Sequence, residues 1–222
     1  MSQSVNTTLQ AIAERLHEEG IFTGGPPQLF ESAGRLQFST LIREGLWPHS
    51  KVLDIGCGAL RAGYWLVRFL EPERYYGIEP NRKMLDKGIE YVLTPELLRA
   101  KRPAFNHNDR FDVSVFSCKF DVFLARSIWT HASKPQIQTM LDGFRDFSEP
   151  GAFFLTSFIP GKWYSRDYRG ATWVGKSDHC ETPGLVSHRF GWVQNECRVR
   201  GLTLEQLPDP PFNGQLWLKI CH

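Results

Sequence analysis

The stretch Val52-Leu53-Asp54-Ile55-Gly56-Cys57-Gly58-Ala59-Leu60-Arg61-Ala62-Gly63 runs from a buried-strand pattern into a glycine turn and then into a helix. Gly56 and Gly58 let the backbone bend sharply and let a ligand approach the chain, while the free amides of a helix start attract a polar or anionic group. The same glycines would also serve a plain strand-to-helix turn. About twenty residues on, Tyr75-Tyr76-Gly77-Ile78-Glu79-Pro80-Asn81 places an acid at a strand tip, where a carboxylate can accept both hydroxyls of a ribose. Glu79 thus points to an adenosine-containing ligand without separating one such cofactor from another. The turn does separate them: dinucleotide folds usually keep a third glycine to bring the pyrophosphate close, and no glycine stands at that place here.

Two further groups of residues suit chemistry on an acceptor. Phe120-Asp121-Val122-Phe123-Leu124-Ala125-Arg126-Ser127-Ile128-Trp129-Thr130-His131 carries a histidine beyond an apolar strand, at the end of an open α/β sheet where ligands bind. His131 is the candidate proton acceptor, and packing against the next helix start is its alternative role. Pro160 to Phe190 forms a stretch of about thirty residues with little periodicity, long for a connection inside an α/β domain and a candidate lid. Trp163, Tyr164, Tyr168, Trp173 and Trp192, mixed with Lys162, Arg166, Arg169 and Lys176, suit stacking on an acceptor and pairing with an acidic group on it. Trp163, Tyr164, His179 and His188 are the expected acceptor contacts. Asp178, His179, Cys180 and His188 have donor types that suit zinc, but their spacing matches no established motif, so no metal is assigned.

These residues need a scaffold, and the pattern supplies one. Strands are expected at Lys51–Ile55, Tyr75–Ile78, Ala104–His107, Phe120–Ala125, Ala152–Phe158, Thr203–Gln206 and Gln215–Ile220. Helices are expected at 7–19, Pro27–Glu44, Ala62–Leu70, Arg82–Tyr91, Pro95–Arg99, Pro135–Phe147 and Gly191–Arg200. Seven strands at this rhythm predict a three-layer α/β fold with a mostly parallel sheet, N-terminal helices over residues 1–47 and a lid insertion at 160–190 after the fifth strand.

Composition narrows the class. The 222 residues are 41% apolar and 23% charged, an ordinary globular balance expected to form a single domain over 1–222. A net charge of +2 gives no electrostatic case for a nucleic-acid partner. Cys57, Cys118, Cys180, Cys197 and Cys221 are scattered and show no C-x-x-C, which fits reduced thiols in a cytoplasmic protein. No run approaches the roughly 18 apolar residues of a membrane span, and the start lacks a secretory pattern, so no membrane partner is expected.

The strand-acid-glycine motif at Asp54, Gly56 and Gly58, the acid at Glu79 and the segment from Phe120 resemble the class I S-adenosylmethionine-dependent methyltransferases, over roughly Leu46 to Ile159. The resemblance implies a Rossmann-like methyltransferase fold with S-adenosylmethionine as cofactor. Asp54, Gly56, Cys57 and Gly58 would hold its methionine part, and Glu79, followed by Pro80, its ribose. Asp109 would contact the adenine amino group, with Arg110 or Phe111 flanking the ring and Asp112 as the rival acid. Arg126, at the exit of the fourth strand, would also contact the cofactor, and His131 would follow it at the strand tip. Leu60-Arg61-Ala62-Gly63 departs from the small residues that commonly continue the first motif. The Asp or Asn before Pro-Pro-Tyr/Phe that the family uses on amino groups of bases does not follow the fourth strand. Methyl transfer to a small-molecule acceptor, at a hydroxyl oxygen, is the expected activity, and a homodimer is a possible assembly. A nucleotide-sugar or nicotinamide enzyme, or a non-catalytic cofactor-binding protein, are the competing expectations.

Overall fold

The computed structural model describes residues 2–161, 167–175, 184–212 and 214–222. The strands are β1 (Val52–Ile55), β2 (Tyr75–Ile78), β3 (Ala104–Asn106), β4 (Phe120–Ala125), β5 (Ser148–Phe158), β6 (Thr203–Gln206) and β7 (Leu216–Cys221). The helices are α1 (Ser2–Glu18), α2 (Phe30–Glu44), α3 (Gly63–Phe69), α4 (Arg82–Val92), α5 (Pro95–Lys101), α6 (Lys134–Phe147) and α7 (Phe190–Arg198). The sheet has seven strands in the order β3-β2-β1-β4-β5-β7-β6, and β7 runs antiparallel to both β5 and β6. All seven expected strands are present. β5 begins at Ser148 rather than Ala152, because Ser148 pairs with Phe120 across a register shift before Phe153 pairs with Val122. Glu149-Pro150-Gly151 reads as a turn in the sequence and is absorbed by that irregularity. Pro27 starts a short 3-10 turn rather than α2, which begins at Phe30.

The chain divides into two compact units. The first, residues 1–51 and 56–107, contains β2, β3 and the helices α1 to α5. Leu9, Ala13 and Leu16 of α1 are fully buried, as their helical spacing predicts. Glu19, just beyond α1, takes the Tyr91 hydroxyl and the Lys87 ammonium of α4, which ties the two helices together. α4 starts where the Asn81 side chain accepts the Met84 amide at 2.8 Å, and α5 where Thr94 accepts the Leu97 amide at 3.2 Å. α4 also lies hard against the glycine turn. A Cβ at Gly88 would stand 2.8 Å from the Cα of Ala59, so only glycine fits this crossing.

The second unit, residues 52–55 and 108–222, contains β1, β4 to β7, α6 and α7. Its core is aromatic: Phe123 meets Phe144 at 5.1 Å and Phe120 at 5.5 Å between centroids, both edge-on. Ser133 and Gln136 form a reciprocal capping box at the start of α6. The described parts of the 160–190 stretch are pinned beside that start. The Val174 amide donates to the His131 carbonyl at 2.9 Å and the Val186 amide to that of Thr130 at 2.8 Å. The Ser133 hydroxyl donates to Ala171, and Lys134 pairs with Asp167 at 2.5 Å.

Two histidines complete this docking. The His131 ring stacks on Trp173 at 5.2 Å, with Nδ1 2.7 Å from the Val174 carbonyl. His188 is fully buried, with Nε2 2.9 Å from the Ala132 carbonyl and its ring against Trp192. Burial holds both below the ordinary histidine value of 6.5; carbonyls at Val174 and Gly184 offset this for His131, as do the Ala132 carbonyl and Asp167 for His188. For a lowered histidine, the unfolded chain takes up the proton first as pH falls, so stability is full above the unfolded value and declines below it.

Gly88→Ala is expected to destabilise the fold by about 1–3 kcal/mol despite alanine's better helix propensity, read as a lower melting temperature. An unchanged or raised melting temperature contradicts the tight crossing. Thermal melts of the unaltered chain are expected to hold level above about pH 6.5, the ordinary histidine value, and to fall below it. Replacing His131 and His188 together by Gln should lower the melting temperature at neutral pH and flatten the acid slope, and an undiminished slope refutes the assignment.

Candidate functional site

Within the first unit, the glycine turn is built onto the end of β2. Gly56 and Gly58 have φ of +72° and +55°, in the left-handed region that glycine enters without strain. That bend aims the Gly56 and Cys57 amides at the Ile78 carbonyl, at 2.8 and 3.1 Å. The next donor in the turn, the Gly58 amide, reaches the Glu79 carboxylate at 3.0 Å. The other carboxylate oxygen accepts the Asn81 amide at 2.9 Å. Glu79 is only 7% exposed, so its charge is held by backbone donors in a largely dry setting. Its main chain is fixed as well: the Glu79 amide donates to Asn106, and His107 Nδ1 lies 2.9 Å from the Glu79 carbonyl.

The sequence-based assignments fall on this arrangement as follows. Gly56, Cys57, Gly58 and Glu79 are brought together, with Cys57 buried and Pro80 half-buried beside Glu79. Asn81 and His107 are additions that spacing did not single out. Asn81 had a visible signal, a capping residue opening the helix after Pro80. Nothing marked His107, whose contact depends on where β3 ends.

The remaining assignments lie in the second unit. Asp54 is buried at the end of β1 and pairs in register with Leu124. Asp109 and Arg110 are exposed, and Phe111 has a φ of +58°. The rival acid Asp112 has a local task, accepting both the amide and the hydroxyl of Ser114 at 2.9 and 2.6 Å. Arg126 is buried at the exit of β4, with Nη1 2.6 Å from Gln215 Oε1 and the Trp217 ring 4.8 Å from its guanidinium carbon. Gln215 also takes the Ser157 hydroxyl at 2.7 Å, and Ser157 accepts the Ser127 amide at 2.9 Å. Ser127, Ser157 and Gln215 went unnoticed in the sequence because the contact joins segments far apart along the chain. Trp163, Tyr164 and His179 lie outside the described residues. Among the described residues no cluster of three metal-ligating side chains occurs, and no helix is long and apolar enough to cross a membrane.

Known proteins share both the motif region and the fold. Residues 53–154 match the family model described as a methyltransferase domain. Magnesium protoporphyrin IX methyltransferase from Synechocystis PCC 6803, solved with bound SAM, superposes with a TM-score of 0.62 at 14% identity, over 86% of this chain and 78% of that one. The glycopeptide N-methyltransferase MtfA superposes with a TM-score of 0.62 at 17% identity, over 86% and 90%. The DhpI–SAH complex gives a TM-score of 0.63 at 12% identity, over 100% and 98%. Residues 53–154, which include the glycine turn and Glu79, thus carry the match to a methyltransferase domain, and the seven-stranded sheet has the Rossmann-like fold of these methyltransferase structures.

Proposed function

We propose that this protein is a class I S-adenosylmethionine-dependent methyltransferase acting on a hydroxyl oxygen of a small molecule, with its cofactor gripped by Glu79. The observation that carries the reading is the Glu79 carboxylate, buried and oriented by the Gly58 and Asn81 amides. A carboxylate has about four acceptor positions, so two backbone donors can orient it for further bonds from a vicinal diol. The residues therefore fit S-adenosylmethionine: Glu79 for the ribose, Gly56, Cys57 and Gly58 as the close-approach turn, and Asp54 and Pro80 flanking them in the chain. Asp109 and Arg110 are assigned to the adenine, favoured over Asp112 by the latter's bonds to Ser114. Arg126 is assigned a supporting place at the β4 exit.

When bound, the cofactor supplies an already activated methyl group on a sulfonium. What remains for the protein is to orient the acceptor, exclude water and accept a proton if a hydroxyl reacts. We assign the proton to His131. Nδ1 lies 2.7 Å from the Val174 carbonyl, and this carbonyl and that of Gly184 both favour the protonated ring, which suits a group that must take up a proton. Burial favours the neutral ring, the form a base requires. His188 and the unplaced Trp163, Tyr164 and His179 are assigned to the acceptor side. The oxygen preference rests on His131 and on the missing amino-methylating motif, and turnover assays with hydroxyl and amino acceptors test it; of the three named neighbours, one is a magnesium protoporphyrin IX methyltransferase and one a glycopeptide N-methyltransferase. We place the protein in the cytoplasm, without a nucleic-acid partner.

Titration calorimetry with S-adenosylhomocysteine tests the reading. The unaltered chain should bind at micromolar concentrations or tighter, and absence of binding removes the proposal. Glu79→Ala should weaken binding by about 1.5–3 kcal/mol without unfolding the protein, the scale of lost charge-assisted hydrogen bonds. An equal dissociation constant for the variant refutes the grip. For His131→Ala, a base predicts a fall in kcat at unchanged S-adenosylhomocysteine affinity. A ring that only pins the 160–190 stretch predicts a lower melting temperature with kcat retained.

A further inference from the structure

The Leu60-Arg61-Ala62-Gly63 run departs from the usual continuation of the glycine motif, and cofactor binding by itself gives it no task. Its contacts within the first unit do. Leu60 has a φ of +61°, so the turn holds a third left-handed residue, and this one has a side chain. Arg61 then reaches back to the connection between α1 and α2: Nη1 donates to the Gly24 carbonyl at 3.0 Å and to the Thr23 carbonyl at 3.4 Å. Gly24 has a φ of +78°, and a Cβ there would stand 2.9 Å from Nη1, so a side chain at this position would strain the backbone and displace the guanidinium. The backbone of Arg61 is covered too. A Cβ at Gly34 of α2 would lie 2.5 Å from the Arg61 carbonyl oxygen and 3.1 Å from Trp65 Nε1. Thr23, only 5% exposed, closes the loop on itself by donating to the Gly25 carbonyl at 2.9 Å.

The N-terminal segment thus grips Arg61 by side chain and main chain, three residues beyond the amide that orients Glu79. A turn with left-handed residues at 56, 58 and 60 is costly to hold in isolation, and a tether at its far end lowers the ordering left for the ligand to supply. We propose that Arg61 is a positioning residue that couples docking of the 21–29 connection to cofactor binding, so that each stabilises the other. The proposal rests on the cofactor reading above. Coupling of this kind is reciprocal, so cofactor should tighten the connection as much as the connection tightens cofactor.

The test uses the full chain and S-adenosylhomocysteine. Calorimetry should show R61M binding about tenfold more weakly than the unaltered chain, within the usual range of coupling energies, with R61K restoring part of the loss. G24A, which crowds the guanidinium from the opposite side, should weaken binding in the same direction and serves if R61M does not fold. Amide exchange across residues 20–29 should slow on addition of S-adenosylhomocysteine in the unaltered chain and not in R61M. If R61M and G24A bind as tightly as the unaltered chain and lose only melting temperature, the coupling is wrong and the cofactor reading stands. If the unaltered chain binds no S-adenosylhomocysteine, both fall together.

Discussion

The hydrogen bond from the Gly58 amide to the Glu79 carboxylate organises the candidate site. It joins residues 21 positions apart and is possible only if several local conditions hold at once. Gly58 must take a positive φ, the Ile78 carbonyl must collect the two preceding amides, and β2 must end where Glu79 can turn inward. A buried carboxylate is costly unless donors surround it, so the bond also stabilises the turn it depends on. The helices of the first unit can be read as support for this arrangement. α4 presses on Ala59 through Gly88, α2 presses on Arg61 through Gly34, and Asn81 both opens α4 and holds the second carboxylate oxygen.

The second unit solves a different problem, that of burying polar groups at the ends of β4 and β5. Arg126, Ser127, Ser157 and Gln215 satisfy one another there, across segments that approach only when β7 runs back antiparallel beside β5. A few residues on, residues 130–134 receive the described parts of the 160–190 stretch through the Thr130 and His131 carbonyls and the side chains of His131, Ser133 and Lys134. His131 therefore has a packing function whatever its part in catalysis. Cys197 illustrates the dryness of this unit: burial pushes its thiol up to about 12, which leaves it a packing residue rather than a nucleophile.

Legibility in the sequence followed the range of the interactions concerned. Strand positions were readable because a short run such as Val52–Ile55, apolar at all but Asp54 and buried at every position, carries its own signature. The glycine turn and Glu79 were readable because their spacing along the chain is set by one strand-helix-strand unit. The early start of β5 was not, because Ser148 joins the sheet through a register shift that depends on Phe120 and overrides the turn preference of Pro150-Gly151. The partners of Arg126 and Arg61 were hidden for the same reason: Gln215 lies 89 residues from Arg126, and Gly24 lies 37 residues from Arg61. Local pattern marks such arginines as notable without saying what they hold.

The most direct measurement of the central claim is a crystal structure with S-adenosylhomocysteine bound. The account predicts both ribose hydroxyls within hydrogen-bonding distance of the Glu79 carboxylate, while the Gly58 amide keeps its contact with the same group. Ribose hydroxyls bonded elsewhere, with that side chain turned from the sugar, would contradict it.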